Sequence, residues 1–267
     1  MIGTELVREL VETVILTGKV KSCDIVSLLL IASPESGKTS IVLEKDCQSV
    51  LAFADITGRG IHDILRYKQD VTHLIINDMV SSMSHKQSVN KYLISQLNAL
   101  TEEGITRIST PAGIQEFEVG RRGIIASLTY TLATDARCWW NKIGFTSRML
   151  PFCYKYNTEM IVNIKNHVDM TMGNGISRVK KIQEFRTPEN KIHIDYPEEM
   201  KKPVRWLADI RSAMLEEQGI RRLKQYHSLV MAHALLRNRK ESIVTEHDID
   251  WLKKVDLFVS YDKPHIL

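Results

Sequence analysis

The sequence predicts an α/β fold, in which a mostly parallel sheet with helices on both faces is followed by a helical C-terminal part. Short apolar runs of strand length alternate with helical patterns over residues 4–156. From Pro197 to residue 255 the pattern is helical, with breaks at Gly219 and at residues 238–242. The 267 residues are 43% hydrophobic and 25% charged, which suits a globular protein with a sizeable core.

The elements follow one another in a regular order. Residues 4–17 carry apolar side chains at helical spacing, which predicts a helix that ends at Gly18. Strands are predicted at residues 25–31, 50–56, 71–76, 123–132 and 149–156, helices at 38–46 and 90–103, and a small hairpin at 105–119. The composition changes from apolar strands to charged helices between residues 160 and 200. This change predicts a core of residues 1–165 and a linker plus helical part of residues 166–267.

Composition excludes several classes of protein. The four cysteines show no C-x-x-C spacing, so we expect buried thiols in a reducing compartment and no zinc site. No apolar run approaches the ~20 residues of a membrane span, and the N-terminus lacks the pattern of a secretion signal. We therefore expect a cytoplasmic protein with no membrane partner. The net charge of +4 permits contact with nucleic acid without demanding it.

Residues 32–39 match the phosphate-loop pattern [AG]-x-x-x-x-G-K-[ST], directly after an apolar run and before a predicted helix. In such a loop, successive backbone N–H groups turn around the phosphates, and a glycine is needed where the chain wraps tightly. Lys38 would contact the β- and γ-phosphate oxygens, and the Thr39 hydroxyl would bind Mg²⁺. The predicted nucleotide-binding residues are Ala32, Ser33, Pro34, Glu35, Ser36, Gly37, Lys38, Thr39 and Ser40. The alternative is a turn that reads Ser-Gly-Lys-Thr by chance.

A phosphate-loop enzyme also needs a carboxylate at the end of a neighbouring strand to hold Mg²⁺ through water. Asp78 follows the apolar residues 71–76 and is the first candidate, and Asp55 is the second. Met79 stands where many motor ATPases carry a glutamate that polarises the attacking water. In another alignment, Asn77 and Asp78 occupy the two acidic positions. Asp78 could instead be the N-cap of a following helix.

The order of these motifs resembles the AAA+ superfamily of ATPases, over residues 20–160 and 205–255. The resemblance implies that residues 123–129 form the sensor 1 strand, with Thr129 reaching the γ-phosphate or the attacking water. Thr131 and Thr134 are alternatives to Thr129 for this role, and Thr129 could instead be an ordinary strand residue. Residues 144–151 resemble the stretch in which an arginine acts in the neighbouring subunit's site. This makes Arg148 the arginine-finger candidate, with a structural salt bridge as the alternative.

The C-terminal part is similar to the AAA+ helical lid. Residues 219–223 begin one helix with arginines, and the segment at residues 244–249 begins the next helix. The resemblance implies a sensor 2 arginine that contacts the γ-phosphate. Arg222 fits this position slightly better than Arg221, and a solvated basic helix start is the alternative. Thr245 is the expected N-cap of the second of these helices.

Together these features favour an AAA+ type ATPase that binds Mg-ATP and acts as a homo-oligomer on nucleic acid or on a nucleic-acid-bound partner. A nucleotide-switched adaptor with poor hydrolysis is the second hypothesis, and a protein-remodelling ATPase is the third. The nucleic-acid assignment rests on the resemblance and on mild basicity. The basic residues of 178–181, with Lys201, Lys202 and Arg205, either track phosphates or form a solvated face. Trp139 and Trp140 either stack on bases or pack against a helix.

Overall fold

The computed structural model describes residues 3–45, 49–68, 70–83, 86–110, 113–116, 120–173, 185–238 and 242–267. The strands within them are β1 (Ser27–Ile31), β2 (Val50–Phe53), β3 (His73–Ile76), β4 (Arg107–Thr110), β5 (Gly113–Glu116), β6 (Gly123–Leu128), β7 (Met149–Lys155) and β8 (His265–Ile266). The helices are α1 (Glu5–Thr17), α2 (Lys38–Leu43), α3 (Gly58–Tyr67), α4 (Met79–Met83), α5 (Gln87–Glu102), α6 (Tyr130–Lys142), α7 (Phe145–Arg148), α8 (Thr158–Gly173), α9 (Glu198–Leu215), α10 (Ile220–Arg237) and α11 (Glu246–Asp256).

Six of the described strands form one sheet in the order β2-β3-β6-β1-β7-β8, and every pair in it is parallel. β4 and β5 form a separate antiparallel hairpin. The predicted parallel sheet with flanking helices is therefore confirmed. Because the strands are parallel, their C-terminal ends meet at one edge, here called the carboxyl edge, and their N-terminal ends meet at the amino edge.

The central strand β1 is buried on both faces, as its continuous apolar sequence predicts. Successive side chains of a strand point to opposite faces. Accordingly, Leu28 and Leu30 belong to one apolar core and Leu29 and Ile31 to the other. The strand therefore joins two helical layers into a single three-layer structure.

One helical layer contains α1, α9, α10 and α11, in which α10 packs against the other three. The second layer, on the opposite face, contains α3, α5 and α6. The predicted boundary at residue 165 falls inside α8. Helices from both predicted parts share one apolar core, since buried residues of α1 and α10 belong to the same cluster.

The largest local difference from the sequence prediction lies after β6. A strand was expected over residues 123–132, but β6 ends at Leu128 and α6 begins at Tyr130. The Thr129 hydroxyl accepts a hydrogen bond from the Leu132 backbone N–H at 3.4 Å, so Thr129 acts as the N-cap. Capping and packing outweigh the strand preference of this Thr- and Tyr-containing stretch.

Several helices were not predicted, notably α3, α6 and α8. At the start of α3, the Thr57 hydroxyl accepts from the Gly60 N–H at 3.1 Å. In the described part of the chain, no helix is long and apolar enough to cross a membrane. The basic residues 178–181 lie outside the described residues.

Candidate functional site

The loop between β1 and α2 occupies the carboxyl edge of the sheet. Glu35 and Gly37 have positive φ angles of 62° and 76°, and α2 begins directly afterwards at Lys38. Gly37 adopts this left-handed conformation at little steric cost, which explains why the pattern requires glycine there. The loop therefore curls back at the end of a buried strand, as the sequence predicts.

The side chain of Lys38 lies inside this curl and is only 8% exposed. Its Nζ donates to the Ala32 carbonyl at 2.8 Å, to the Ser33 carbonyl at 2.7 Å and to Ser36 Oγ at 3.1 Å. Burial lowers the pKa of Lys38 to about 8, and the negative charge of Asp78 partly offsets this effect. The loop thus surrounds a partly desolvated ammonium group, which a nearby anion would stabilise.

Three tyrosines that the sequence analysis did not identify brace the loop. Tyr156 and Tyr154 donate from their hydroxyls to the Ser36 carbonyl, at 2.7 and 3.3 Å, and the Tyr130 hydroxyl donates to the Tyr154 carbonyl. Burial raises the pKa of Tyr130 to about 12 and also raises those of the other two, so all three remain donors at neutral pH. Tyr154 and Tyr156 are two residues apart at the end of β7, and residues at this spacing in a strand point to the same face. This spacing is the sequence signal that could have identified the pair.

Two hydrogen bonds, one between backbone groups and one from a side chain to the backbone, tie together the C-terminal ends of three neighbouring strands. The Ala32 N–H donates to the Leu128 carbonyl at 3.3 Å, which joins the loop to the end of β6. The Ser127 hydroxyl donates to the Asn77 carbonyl, which joins β6 to the end of β3. The residues that follow these strands are therefore held at fixed positions relative to the loop.

Oxygen-bearing side chains cluster at this edge. Asp78, directly after β3, is exposed and close enough to Lys38 to affect its pKa. Thr39 and Ser40 on α2 are also exposed. The Asn77 Oδ1 atom is buried and has no hydrogen-bond partner among the described residues. Carboxylate, hydroxyl and water oxygens are the ligands that Mg²⁺ prefers, so Thr39 and Asp78 fit the predicted metal site.

The structure distinguishes between Asp78 and Asp55, the two candidates for the carboxylate that holds Mg²⁺. β3, which precedes Asp78, is separated from β1 by β6 alone, whereas β2, which precedes Asp55, lies one strand farther out. Asp55 accepts a hydrogen bond from the Ser82 hydroxyl at 3.0 Å. Position in the sheet therefore favours Asp78 over Asp55. Thr129 follows β6, the strand between β1 and β3, and is thus next to both the loop and Asp78 along the carboxyl edge.

Arg148 lies at the amino edge, directly before β7. It forms an ion pair with Glu102 and donates to the Gly144 carbonyl. The structure therefore does not bring Arg148 together with Lys38 of the same chain. Its role in a neighbouring subunit's site stays a prediction.

Arg222, the expected sensor 2 arginine, does not lie near the phosphate loop. Its side chain is fully buried, pairs with Glu217 at 3.0 Å and donates to Gln225 Oε1 at 2.8 Å. Gln225 in turn donates to the Arg148 carbonyl at 3.1 Å, which places the start of α10 at the amino edge. The expected position of Arg222 over the phosphates is thus not observed, because α10 begins at the opposite edge and Glu217 neutralises the guanidinium group.

A cavity of about 660 Å³ also lies at the amino edge, between α6, α7 and the loop before α10. It is lined by residues such as Asn141, Ser147, Gln218 and Arg221. None of its lining residues belongs to the phosphate loop. The cavity is therefore distinct from the candidate site at the carboxyl edge.

Of the predicted site residues, the structure brings together the loop of residues 32–40, Asp78 and Thr129. It places Arg148 and Arg222 at the other edge of the sheet. The candidate site therefore consists of the loop and the residues that follow β3 and β6. Comparison of the chain with protein-family models gives no match, and comparison with curated proteins gives none.

Proposed function

We propose that residues 32–40 bind the phosphates of Mg-ATP and that the protein is an ATPase of AAA+ type. The observation that carries this proposal is the buried Lys38 ammonium group, surrounded by loop oxygens at the end of a central parallel strand. A buried cation is costly unless a counter-charge or hydrogen bonds compensate it. Phosphate oxygens would supply that counter-charge.

Each residue at the carboxyl edge has a role in this proposal. Lys38 would contact the β- and γ-phosphates as a point charge, and Thr39 and Asp78 would hold Mg²⁺. The metal ion, when bound, neutralises charge on the transferring phosphoryl group. Thr129 orients the attacking water or the γ-phosphate. The position of β6 between β1 and β3 supports these assignments, because it places Thr129 between loop and carboxylate.

The tyrosines contribute by positioning. Tyr154 and Tyr156 hold the Ser36 carbonyl and so fix the curvature of the loop before a nucleotide arrives. Preorganised backbone donors lower the cost of ordering on binding. The buried Asn77 Oδ1 beside Asp78, which has no partner among the described residues, would accept a hydrogen bond from a water molecule at the site.

The geometry limits which arginines take part. Arg148 remains the candidate for acting in a neighbouring subunit's site, which requires a homo-oligomer. Arg222 has no role in the proposed mechanism, since its charge is neutralised by Glu217. Closure of the site by a lid arginine is therefore not part of the proposal.

A nucleotide-switched adaptor is the second candidate, and one observation favours it. Met79, at the position of the water-polarising glutamate, is fully buried in the apolar core. No base is thus available at that position to activate water, which favours tight binding with slow turnover. ATP turnover with and without single- and double-stranded DNA separates the two candidates. Stimulation by DNA supports an ATPase that acts on nucleic acid, whereas slow turnover unchanged by DNA supports the adaptor.

The binding proposal is tested by Lys38→Ala. Removing a charge-assisted phosphate contact should weaken ATP binding by about 1.5–3 kcal/mol, which titration calorimetry measures. Lys45→Ala is a matched control, because Lys45 is also buried but pairs with Glu12. Lys45→Ala should affect stability and leave ATP affinity unchanged. Equal ATP affinity in Lys38→Ala and the wild-type protein would refute the phosphate role.

A further inference from the structure

Two arginines from different parts of the chain converge on one carboxylate at the amino edge. Arg148 pairs with Glu102 Oε2, and Arg221 pairs with Glu102 Oε1. Burial alone would raise the pKa of Glu102, but hydrogen bonds from Arg221 and Arg148 hold it below its usual value. The carboxylate is therefore ionised and shared by both guanidinium groups.

The positions of both arginines are set by further contacts. Arg148 also donates to the Gly144 carbonyl, and Arg221 donates to Ser147 Oγ at 3.1 Å. Arg148 ends α7, whereas Arg221 lies in the first turn of α10. Two helices thus hold two guanidinium groups around a common point. Arginine forks of this kind match the planar geometry of carboxylate and phosphate oxygens.

The common point is accessible from solvent. The side chains of Glu102 and Arg221 are 31% and 46% exposed, and that of Arg148 is 18% exposed. Glu102 and Arg221 line the 660 Å³ cavity, together with Lys224. A smaller cavity of about 90 Å³ is lined by Glu102, Arg148 and Arg221, so a ligand group is able to approach both arginines there.

We propose that Arg148 and Arg221 form a clamp for a phosphate group and that Glu102 occupies this clamp in the free protein. A terminal phosphate carries up to two negative charges and three acceptor oxygens, against one charge and two oxygens for a carboxylate. It therefore competes with Glu102 for both arginines. Two sources offer this chemistry: the nucleotide of a second copy of this chain, and a free phosphate-bearing ligand.

The test for the clamp uses the Lys38→Ala protein, so that the loop contributes less to binding, and inorganic pyrophosphate as the probe. Glu102→Gln removes the competing charge and should tighten pyrophosphate binding about tenfold by calorimetry, equivalent to ~1.4 kcal/mol. Adding Arg148→Ala or Arg221→Ala should reverse the gain. The matched control is Glu116→Gln, which removes a carboxylate paired with Arg107 at 3.0 Å on the hairpin and should change nothing.

Equal pyrophosphate affinity of the Glu102→Gln and Glu116→Gln proteins would overturn the clamp, as would a gain that survives both arginine substitutions. The variants Arg148→Lys and Arg221→Lys test whether a loss of pyrophosphate binding in the alanine variants is caused by misfolding. Each keeps a charge and should retain more binding than the corresponding alanine variant. Thermal melting establishes that every compared variant is folded.

Mixing two variant proteins distinguishes the two sources of the phosphate group. This experiment rests on the proposed ATP site. Lys38→Ala chains keep the clamp, and chains with both Arg148→Ala and Arg221→Ala keep the loop. Recovery of ATP turnover on mixing identifies a second copy as the source. Pyrophosphate binding without recovery identifies a free ligand. If the wild-type loop binds no ATP, the proposed function fails, while the pyrophosphate result still decides the clamp.

Discussion

Two buried cations at opposite edges of the sheet differ in how their charge is balanced. Lys38, at the carboxyl edge, is held by two carbonyls and a hydroxyl, and within the described part of the chain no carboxylate lies within ion-pair distance of it. Arg222, at the amino edge, is fully buried and makes two 3.0 Å contacts with the Glu217 carboxylate. The difference in partners distinguishes Lys38, for which we propose a phosphate ligand, from Arg222, whose charge is balanced within the chain by Glu217.

A similar contrast exists between one helical layer and the carboxyl edge. The layer of α1, α9, α10 and α11 contains further charges that neutralise one another, such as the bidentate pair of Arg211 with Asp256 at 2.7 and 2.9 Å. At the carboxyl edge, Asp78 and Thr39 are instead exposed. Buried pairs of this kind contribute little when intact and cost much when broken.

The largest expected effect comes from Glu217→Ala, which leaves the Arg222 guanidinium buried without its counter-charge. The free energy of unfolding should fall by about 3–5 kcal/mol in urea denaturation, with ATP affinity of the folded protein unchanged. Glu199→Ala, at an exposed position on α9, is the control and should have little effect. If Glu217→Ala instead altered ATP affinity and left stability intact, the contrast between the two cations would be wrong.

A second effect concerns the pH dependence of the helical layer. His233 on α10 lies between Asp248 Oδ1 at 2.7 Å and Glu9 Oε1 at 3.2 Å. Burial alone would lower the pKa of His233, but the two carboxylates raise it above its ordinary 6.5. Burial would raise the pKa of Asp248, but hydrogen bonds from His233, Arg237 and Thr245 lower it to about 2.

The sign of each contribution follows from these shifts. The stabilisation from His233 is complete below pH 6.5 and is lost as the pH rises through the higher folded-state pKa. The stabilisation from Asp248 is present above pH 3.8 and is lost as the pH falls towards 2. His233→Gln should therefore lower stability by about 2 kcal/mol near pH 5 and less at pH 8. A loss of stability of the same size at pH 5 and pH 8 in His233→Gln would contradict the assignment.

A smaller effect is expected at the loop itself. Tyr156→Phe removes the 2.7 Å hydrogen bond to the Ser36 carbonyl. ATP affinity should fall by about 1 kcal/mol, or roughly fivefold, because the loop is less well preorganised. Tyr196→Phe removes a comparable 2.7 Å contact with His227 Nδ1, away from the loop, and should leave ATP affinity unchanged. If Tyr156→Phe and Tyr196→Phe bound ATP with equal affinity, the proposed positioning role of the loop tyrosines would be wrong.

The smallest expected effect distinguishes the helix-capping role of Thr129 from its proposed role in ATP hydrolysis. Thr129→Ala and Thr57→Ala each remove a helix N-cap, at 3.4 and 3.1 Å, and each should cost about 0.5–1 kcal/mol of stability. Only Thr129→Ala should also lower ATP turnover, since only Thr129 lies between β1 and β3. Unchanged turnover in Thr129→Ala would restrict this residue to its capping role.

The parts of the molecule that the sequence predicted well are those set by local patterns. The continuous apolar residues of β1 and the spacing of Gly37 and Lys38 suffice to place a curled loop after a buried strand. The break at Gly219 was also local, since its φ of 85° suits glycine. Such features require no knowledge of distant partners.

The features that were mispredicted or missed depend on partners far away in the chain or on competition between neighbours. A helix that begins with two arginines has the same sequence whether Arg222 faces solvent, a phosphate or Glu217. Glu102, more than a hundred residues before Arg221, shows no local sign of its two partners. Thr129 and Tyr130 favour strands by type, and only the capping contact reveals that a helix begins there.

The packing of α1 against α10 has a consequence for biosynthesis. About 200 residues separate Thr17 from Ile220, so the ribosome makes the two surfaces roughly 10–40 s apart. During that interval Leu10, Val11 and Val14, which are fully buried in the finished protein, lack their partner helix. The apolar stripe of α1 is therefore without its partner α10 during this interval, and a chaperone that shields the stripe would raise the yield of native protein.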